Sequence, residues 1–146
     1  MALRTDGLTP RALQASSRTW WDSMFTQLLL DAIPLDTRHI VELDCGLAAA
    51  AHTLLPSLPE ARYLGTDFMP ERLAEARRQL QGARIAPRVE LRLAPPTDLP
   101  VDAGSCDVVL SIMSLQHVPD VPAVLAEARR LLGPEGRVVA VEPDNL

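Results

Sequence analysis

The segment HIVELDCGLAAAAHTLL, His39–Leu55, sets Glu42, Asp44 and Gly46 at two-residue intervals where an apolar run gives way to an alanine-rich one. Strand, turn and helix in that order are a common holder for nucleotide-like ligands. The turn is then usually built from three glycines, and here Gly46 stands between Asp44 and Ala48 where the other two are expected. A second acid, Asp67, closes RYLGTD 25 residues after Glu42. That is close to the ~20 residues at which a carboxylate meets two ribose hydroxyls. An Asp ahead of Met-Pro can instead start the next helix as a cap, and the ribose reading is preferred. Glu42, between Val41 and Leu43, reads as buried strand and needs a partner, because a buried unpaired carboxylate is costly. A ligand ammonium and the loop backbone are the two candidates. His117, in SLQHVPD, is the histidine placed to take a proton from an acceptor, with a hydrogen-bonded loop cap as the competing role. His39 and His52 read as surface or packing residues. Cys45 and Cys106 show no metal-ligand spacing, and no metal is expected. They fall at opposite ends of neighbouring strands, too far apart for a disulfide, and serve as small apolar residues.

These residues need elements to position them. Thr9–Ala32 has helical spacing, with Trp21, Met24, Leu28 and Ala32 on one face and Pro34 as its stop. Trp21 is expected in the core and Trp20 over the site mouth. His39–Leu43 reads as a strand and Leu47–Leu55 as a helix ended by Pro56 and Pro59. Arg62–Asp67 is the second strand. The helix after it has Pro70 in its first turn, Leu73, Ala76 and Leu80 inward, and Gly82 at its end. Arg88–Leu93 alternates as an edge strand does, and Cys106–Met113 is continuously apolar as a central parallel strand is. Val121–Leu132 is a helix with Val124, Leu125, Ala128, Leu131 and Leu132 inward. GPEG then turns the chain into a fifth strand, Arg137–Glu142. Strands alternating with helices give an α/β fold with a doubly wound parallel sheet and right-handed crossovers. One domain is expected over 1–146, with 1–37 as a helical cover and 38–146 as the core.

Bulk properties narrow the function. The 146 residues suit one domain, and 47% apolar with 23% charged is ordinary for a globular chain. All 14 basic residues are arginine, and the net charge of −5 argues against a nucleic-acid partner. No apolar run approaches the ~20 residues of a membrane span. The N-terminus lacks the basic-then-apolar order of a signal peptide, so the expected location is cytoplasmic. The arginine pairs Arg77–Arg78 and Arg129–Arg130 read as solvated faces beside Glu75 and Glu127.

With these residues in place, the chain resembles the class I S-adenosylmethionine-dependent methyltransferases of the small-molecule type. VELDCGLA resembles the family's first motif, with Glu42 as its acid and Gly46 as its middle glycine. YLGTDFMPERLAEARRQL resembles the second, which implies Asp67 at the ribose and Phe68 beside the adenine. TDLPVDAGSCDVVLSIMSLQHVPDVPAVLAEARRLLGPEGRVVAVEP resembles the stretch through the fourth and fifth strands. The resemblance spans roughly Trp20 to Pro143 and implies a Rossmann-like sheet of order 3-2-1-4-5 without the family's last two strands. It implies S-adenosylmethionine as cofactor, met by Glu42, Asp44, Cys45, Gly46, Asp67, Phe68, Pro95 and Ser111. The chain departs from the family at Asp44 and Ala48, and at Pro95, where an acid often holds the adenine amino group. Asp98 replaces that acid only if the loop shifts register. The open edge Val138–Val141 invites pairing, so a truncated chain or a homodimer through that strand is expected.

Three functions compete. Methyl transfer to a small-molecule acceptor explains most of the chain. A non-catalytic binding or interaction module is favoured by the departures. A nicotinamide-dependent oxidoreductase would rest on Asp44, Gly46, Ala49 and Asp67, but it lacks the first glycine of the tight turn.

Overall fold

The computed structural model describes residues 21–143. Helix α1 (Ser23–Ala32) is followed by β1 (His39–Leu43), α2 (Ala49–Leu54), β2 (Arg62–Asp67), α3 (Pro70–Leu80) and β3 (Val89–Leu93). Then come β4 (Cys106–Ile112), a 3-10 turn at Leu115–His117, α4 (Val121–Leu131) and β5 (Leu132–Val141). Five parallel strands lie in the order β3-β2-β1-β4-β5, the expected sheet. The order reverses between β1 and β4, and in sheets of this kind ligands bind beyond the strands' carboxyl ends at that point.

Alternation along the two central strands feeds two cores. Ile40, Val108, Leu110 and Ile112 meet Leu54, Leu73 and Ala76 on one side of the sheet. Val41, Leu43 and Val109 meet Val124, Ala128 and Leu131 on the other. Both faces of β4 are buried, as its continuous apolar run requires. Pro70 begins α3, and Gly82 lies just beyond its end at φ +76°, a left-handed turn glycine takes without strain.

Several expectations are corrected. The part of the first helix before residue 21 and the lid candidate Trp20 lie outside the described residues, and so does most of the expected cover over 1–37. The described helix starts at Ser23, where Asp22 accepts a hydrogen bond from the Phe25 amide at 2.8 Å. Its buried residue is Leu29, whereas Met24 and Leu28 are 70% and 61% exposed. Trp21 does reach the core, edge-on to Phe25 with ring centroids 5.0 Å apart. On α4, Leu125 is exposed and Glu127 is buried in its place. Leu93 at the end of β3 is also exposed. Strand β5 begins at Leu132, paired with Cys106, and GPEG is a bulge before Arg137 pairs with Val108.

Candidate functional site

Leaving β1, the chain adopts left-handed backbone at Asp44 (φ 49°), Gly46 (φ 57°) and Ala48 (φ 56°). These are the three positions at which glycines were expected. The turn therefore keeps its shape without two of them, at a cost of roughly 1–2 kcal/mol for a non-glycine residue that Asp bears more easily than Ala. A side chain built on Gly46 would meet nothing within 4 Å, so the turn faces open space at its middle.

Glu42 is buried, and its carboxyl is met from the neighbouring strand. The Tyr63 hydroxyl from β2 donates to Glu42 Oε2, a partner the sequence reading missed. Burial is the largest influence on this carboxyl and raises its pKa from 4.5 to about 8, and Asp44 and Asp67 add to the rise against the Tyr63 hydrogen bond. Cys45 contributes backbone to the turn, its amide donating to Thr66 O at 2.9 Å. Its side chain packs in the core beside Gly65, where a Cβ would come within 2.7 Å of the sulfur. Both cysteines are buried free thiols.

Asp67 ends β2 with its side chain wholly enclosed. Its Oδ2 accepts from the Gly46 amide at 3.0 Å and its Oδ1 from the Met69 amide at 2.8 Å. The second bond closes a local turn ahead of α3, whose N-cap is Met69 with no side-chain hydrogen bond, so Asp67 is not the helix cap. The first ties the β1 turn to β2. Arg72 Nη1 lies 3.2 Å from Asp44 Oδ1 and 3.7 Å from Asp67 Oδ2, with its guanidinium 6.0 Å from the Phe68 ring centroid. Phe68 itself is 48% exposed. Asp44 is raised to about 7, by burial first and by Asp67, with Arg72 opposing and Glu142 reinforcing the rise. Arg72 was overlooked, although it shares a helical face with Ala76 and Leu80 at four-residue spacing, the signature of a buried position.

Near the end of β4, Ser111 is buried and its hydroxyl meets Ser114 Oγ at 2.7 Å and Glu142 Oε1 at 3.1 Å. Glu142 also accepts from the amides of Ser114, Leu115 and Gln116 at 3.1, 2.9 and 3.4 Å. This carboxylate thereby fixes the turn that carries His117, which is half-buried. Glu142→Ala strips these donors of their acceptor and is expected to cost about 1–3 kcal/mol in urea denaturation.

Pro95 is exposed, its carbonyl accepting from the Asp98 amide at 3.2 Å. The loop that bears both is pinned from α4. Glu127 Oε1 accepts from the Leu99 amide at 2.8 Å, and Arg130 joins Glu127 to the carbonyls of Leu99 and Val101. Glu127 is therefore a loop anchor, not the solvated acid expected. Its hydrogen bond to Arg130 holds its pKa below the usual carboxylate value. Arg78 does pair with Glu75 on the exposed face of α3. His39 and His52 are exposed, as expected. Among the described residues no helix is long and apolar enough to cross a membrane.

Comparison with known proteins adds four findings. The family model described as a methyltransferase domain matches residues 41–140. An uncharacterised 37.1 kDa protein in transposon TN4556 of Streptomyces fradiae is 38% identical over 82% of this chain and 34% of its own length. Trans-aconitate 2-methyltransferase of Methylobacterium nodulans is 35% identical over 81% of this chain and 43% of its own. The chain thus spans about a third to under half of these two relatives. Among solved structures, a SAM-dependent methyltransferase from Aquifex aeolicus superposes with a TM-score of 0.79 at 13% identity, covering 93% of this chain and 73% of that one.

Proposed function

The chain belongs to the methyltransferase-domain family, the class I S-adenosylmethionine-dependent type, and from that premise we propose that it binds S-adenosylmethionine at the carboxyl ends of β1, β2 and β4. Methyl transfer to a small-molecule acceptor is the reaction we propose for it. The observation that carries this reading is the left-handed turn at residues 44, 46 and 48 lying against Asp67 at the point where strand order reverses.

The residues suit the cofactor. Gly46 leaves room for close approach. A carboxylate offers about four acceptor positions, and the amides of Gly46 and Met69 take two of those on Asp67, which leaves capacity for a ribose diol. Phe68 presents an exposed ring beside it for the adenine. The cofactor supplies a methyl group already activated on a sulfonium, so the chain has no need of a covalent nucleophile. Its task is to hold, orient and exclude water. Where the acceptor must lose a proton, His117 is the base, set by Glu142 through the preceding turn. The enclosure of Asp67 favours one other reading, a domain that keeps the fold and binds no cofactor.

Calorimetry with S-adenosylmethionine, S-adenosylhomocysteine and NAD separates the possibilities. Binding of the first two and not the third is expected, and silence with all three selects the non-binding domain. Asp67→Ala should weaken cofactor binding by on the order of 1–3 kcal/mol, judged beside its urea midpoint so that lost ligand contacts are told from lost structure. Unchanged affinity would remove Asp67 from the site.

A further inference from the structure

Helix α4 carries an acid on its buried stripe. Glu127 is buried together with Val124, Ala128 and Leu131, where an apolar residue would pack at less cost than a charge. Arg130 answers that charge with two parallel hydrogen bonds of 2.7 Å, from Nε to Oε2 and from Nη2 to Oε1. Both side chains then reach the loop after β3. Glu127 Oε1 accepts from the Leu99 amide at 2.8 Å, and Arg130 donates to the carbonyls of Leu99 at 3.1 Å and Val101 at 2.9 Å. The Pro100 carbonyl between them takes Arg92 Nη1 of β3 at 2.7 Å. At the loop's start, the Ala94 amide donates to the Asp67 carbonyl at 3.1 Å. Residues 95–98 are thus strung between two fixed points, with Pro95, Thr97 and Asp98 exposed.

We infer, on the reading that these strand ends take an adenosine-bearing cofactor, that Glu127 and Arg130 are positioning residues that hold residues 95–98 as a ready-made wall beside the nucleoside. Ligands of such sheets bind beyond the carboxyl ends of the strands, and a loop there that is not already fixed loses freedom on binding. Pro95 and Pro96 stiffen the stretch, but proline does not set where it points. The α4 pair does, because Leu99 is tethered through both its amide and its carbonyl. An apolar residue at 127 would fill the stripe and leave the buried Leu99 amide without its acceptor. The acid therefore serves the loop, not the packing of its own helix.

Glu127→Ala tests this in the full chain by two measurements. In hydrogen exchange, the Leu99 amide should quicken roughly tenfold beyond any change at Val109 and Leu110 of β4, which report the fold at large. In calorimetry, affinity should drop roughly tenfold for S-adenosylhomocysteine, and by the same factor for methylthioadenosine, which keeps the nucleoside and lacks the amino-acid half. Arg130→Met, at a side chain 39% exposed and so milder for the fold, should repeat the pattern at about threefold. General loosening would instead fall harder on S-adenosylhomocysteine, which has more contacts to lose. Unchanged affinity for both ligands, or a loss for S-adenosylhomocysteine alone, would overturn the inference. So would Leu99 exchange that merely tracks β4. If the native chain binds neither ligand, the cofactor reading fails instead, and Leu99 exchange still decides whether the pair fixes the loop.

Discussion

Arg72→Leu is expected to lower folding stability by about 3–5 kcal/mol, the usual cost of stripping one partner from a buried ion pair. The side chain removed is 3% exposed, and the carboxylates it leaves, on Asp44 and Asp67, are 10% and 0% exposed. Two acids of like charge would then face each other out of water, with Glu142 adding to the field on Asp44. Leucine fills most of the volume, so packing is a small part of the loss. Urea midpoints of the native chain and the variant near pH 7 give the number. Combining Arg72→Leu with Asp44→Gly should return a large share of it, because apolar replacement of a whole buried pair is often neutral. A loss under ~1 kcal/mol for Arg72→Leu alone would mean that water reaches the pair, and it would be worth no more than an exposed one.

Stability should also fall as pH rises, the reverse of common acid denaturation. Folding lifts the Glu42 pKa from 4.5 to about 8, so between those values the folded state carries more protons than the unfolded one. By linkage the contribution is fully present below 4.5 and is lost as pH climbs through about 8. At about 1.4 kcal/mol per pH unit the full swing is on the order of 5 kcal/mol. Asp44 works in the same direction between 3.8 and about 7. Glu42→Gln copies the neutral carboxyl in shape and still accepts from Tyr63. It should match the native chain near pH 4.5 and exceed it by several kcal/mol above pH 8, on the order of that same swing. Denaturation midpoints at acid, neutral and alkaline pH measure it. Parallel profiles for the two chains would show that Glu42 is not the group responsible.

Much of this fold was legible because its signals are local and repeated. The continuous run Cys106–Met113 can be satisfied only with apolar neighbours on both faces, and β4 has them. Pro70 and Gly82 bracket α3 by backbone preference alone. The misreadings came where tertiary packing chose among apolar residues. Leu28 and Leu29 are equal by type, but Leu29 is buried and Leu28 is exposed. The site was legible in outline, since Glu42, Asp44, Gly46 and Asp67 do gather at one end of the sheet. Their bonds were not legible, because Tyr63 answers Glu42 across 21 residues, Arg72 answers Asp44 across 28 and Glu142 answers Ser111 across 31. No spacing rule reaches across crossover connections. Only Arg72 left a trace, by sitting on a face of its helix that is otherwise apolar.

The turn after β1 also bears on how such chains are found. Written in amino-acid letters, its pattern has lost two of three characters. Written in torsion signs it is whole, with φ positive at 44, 46 and 48. A census that counts glycines would overlook such loops, whereas one that counts positive torsions at alternate residues would gather them.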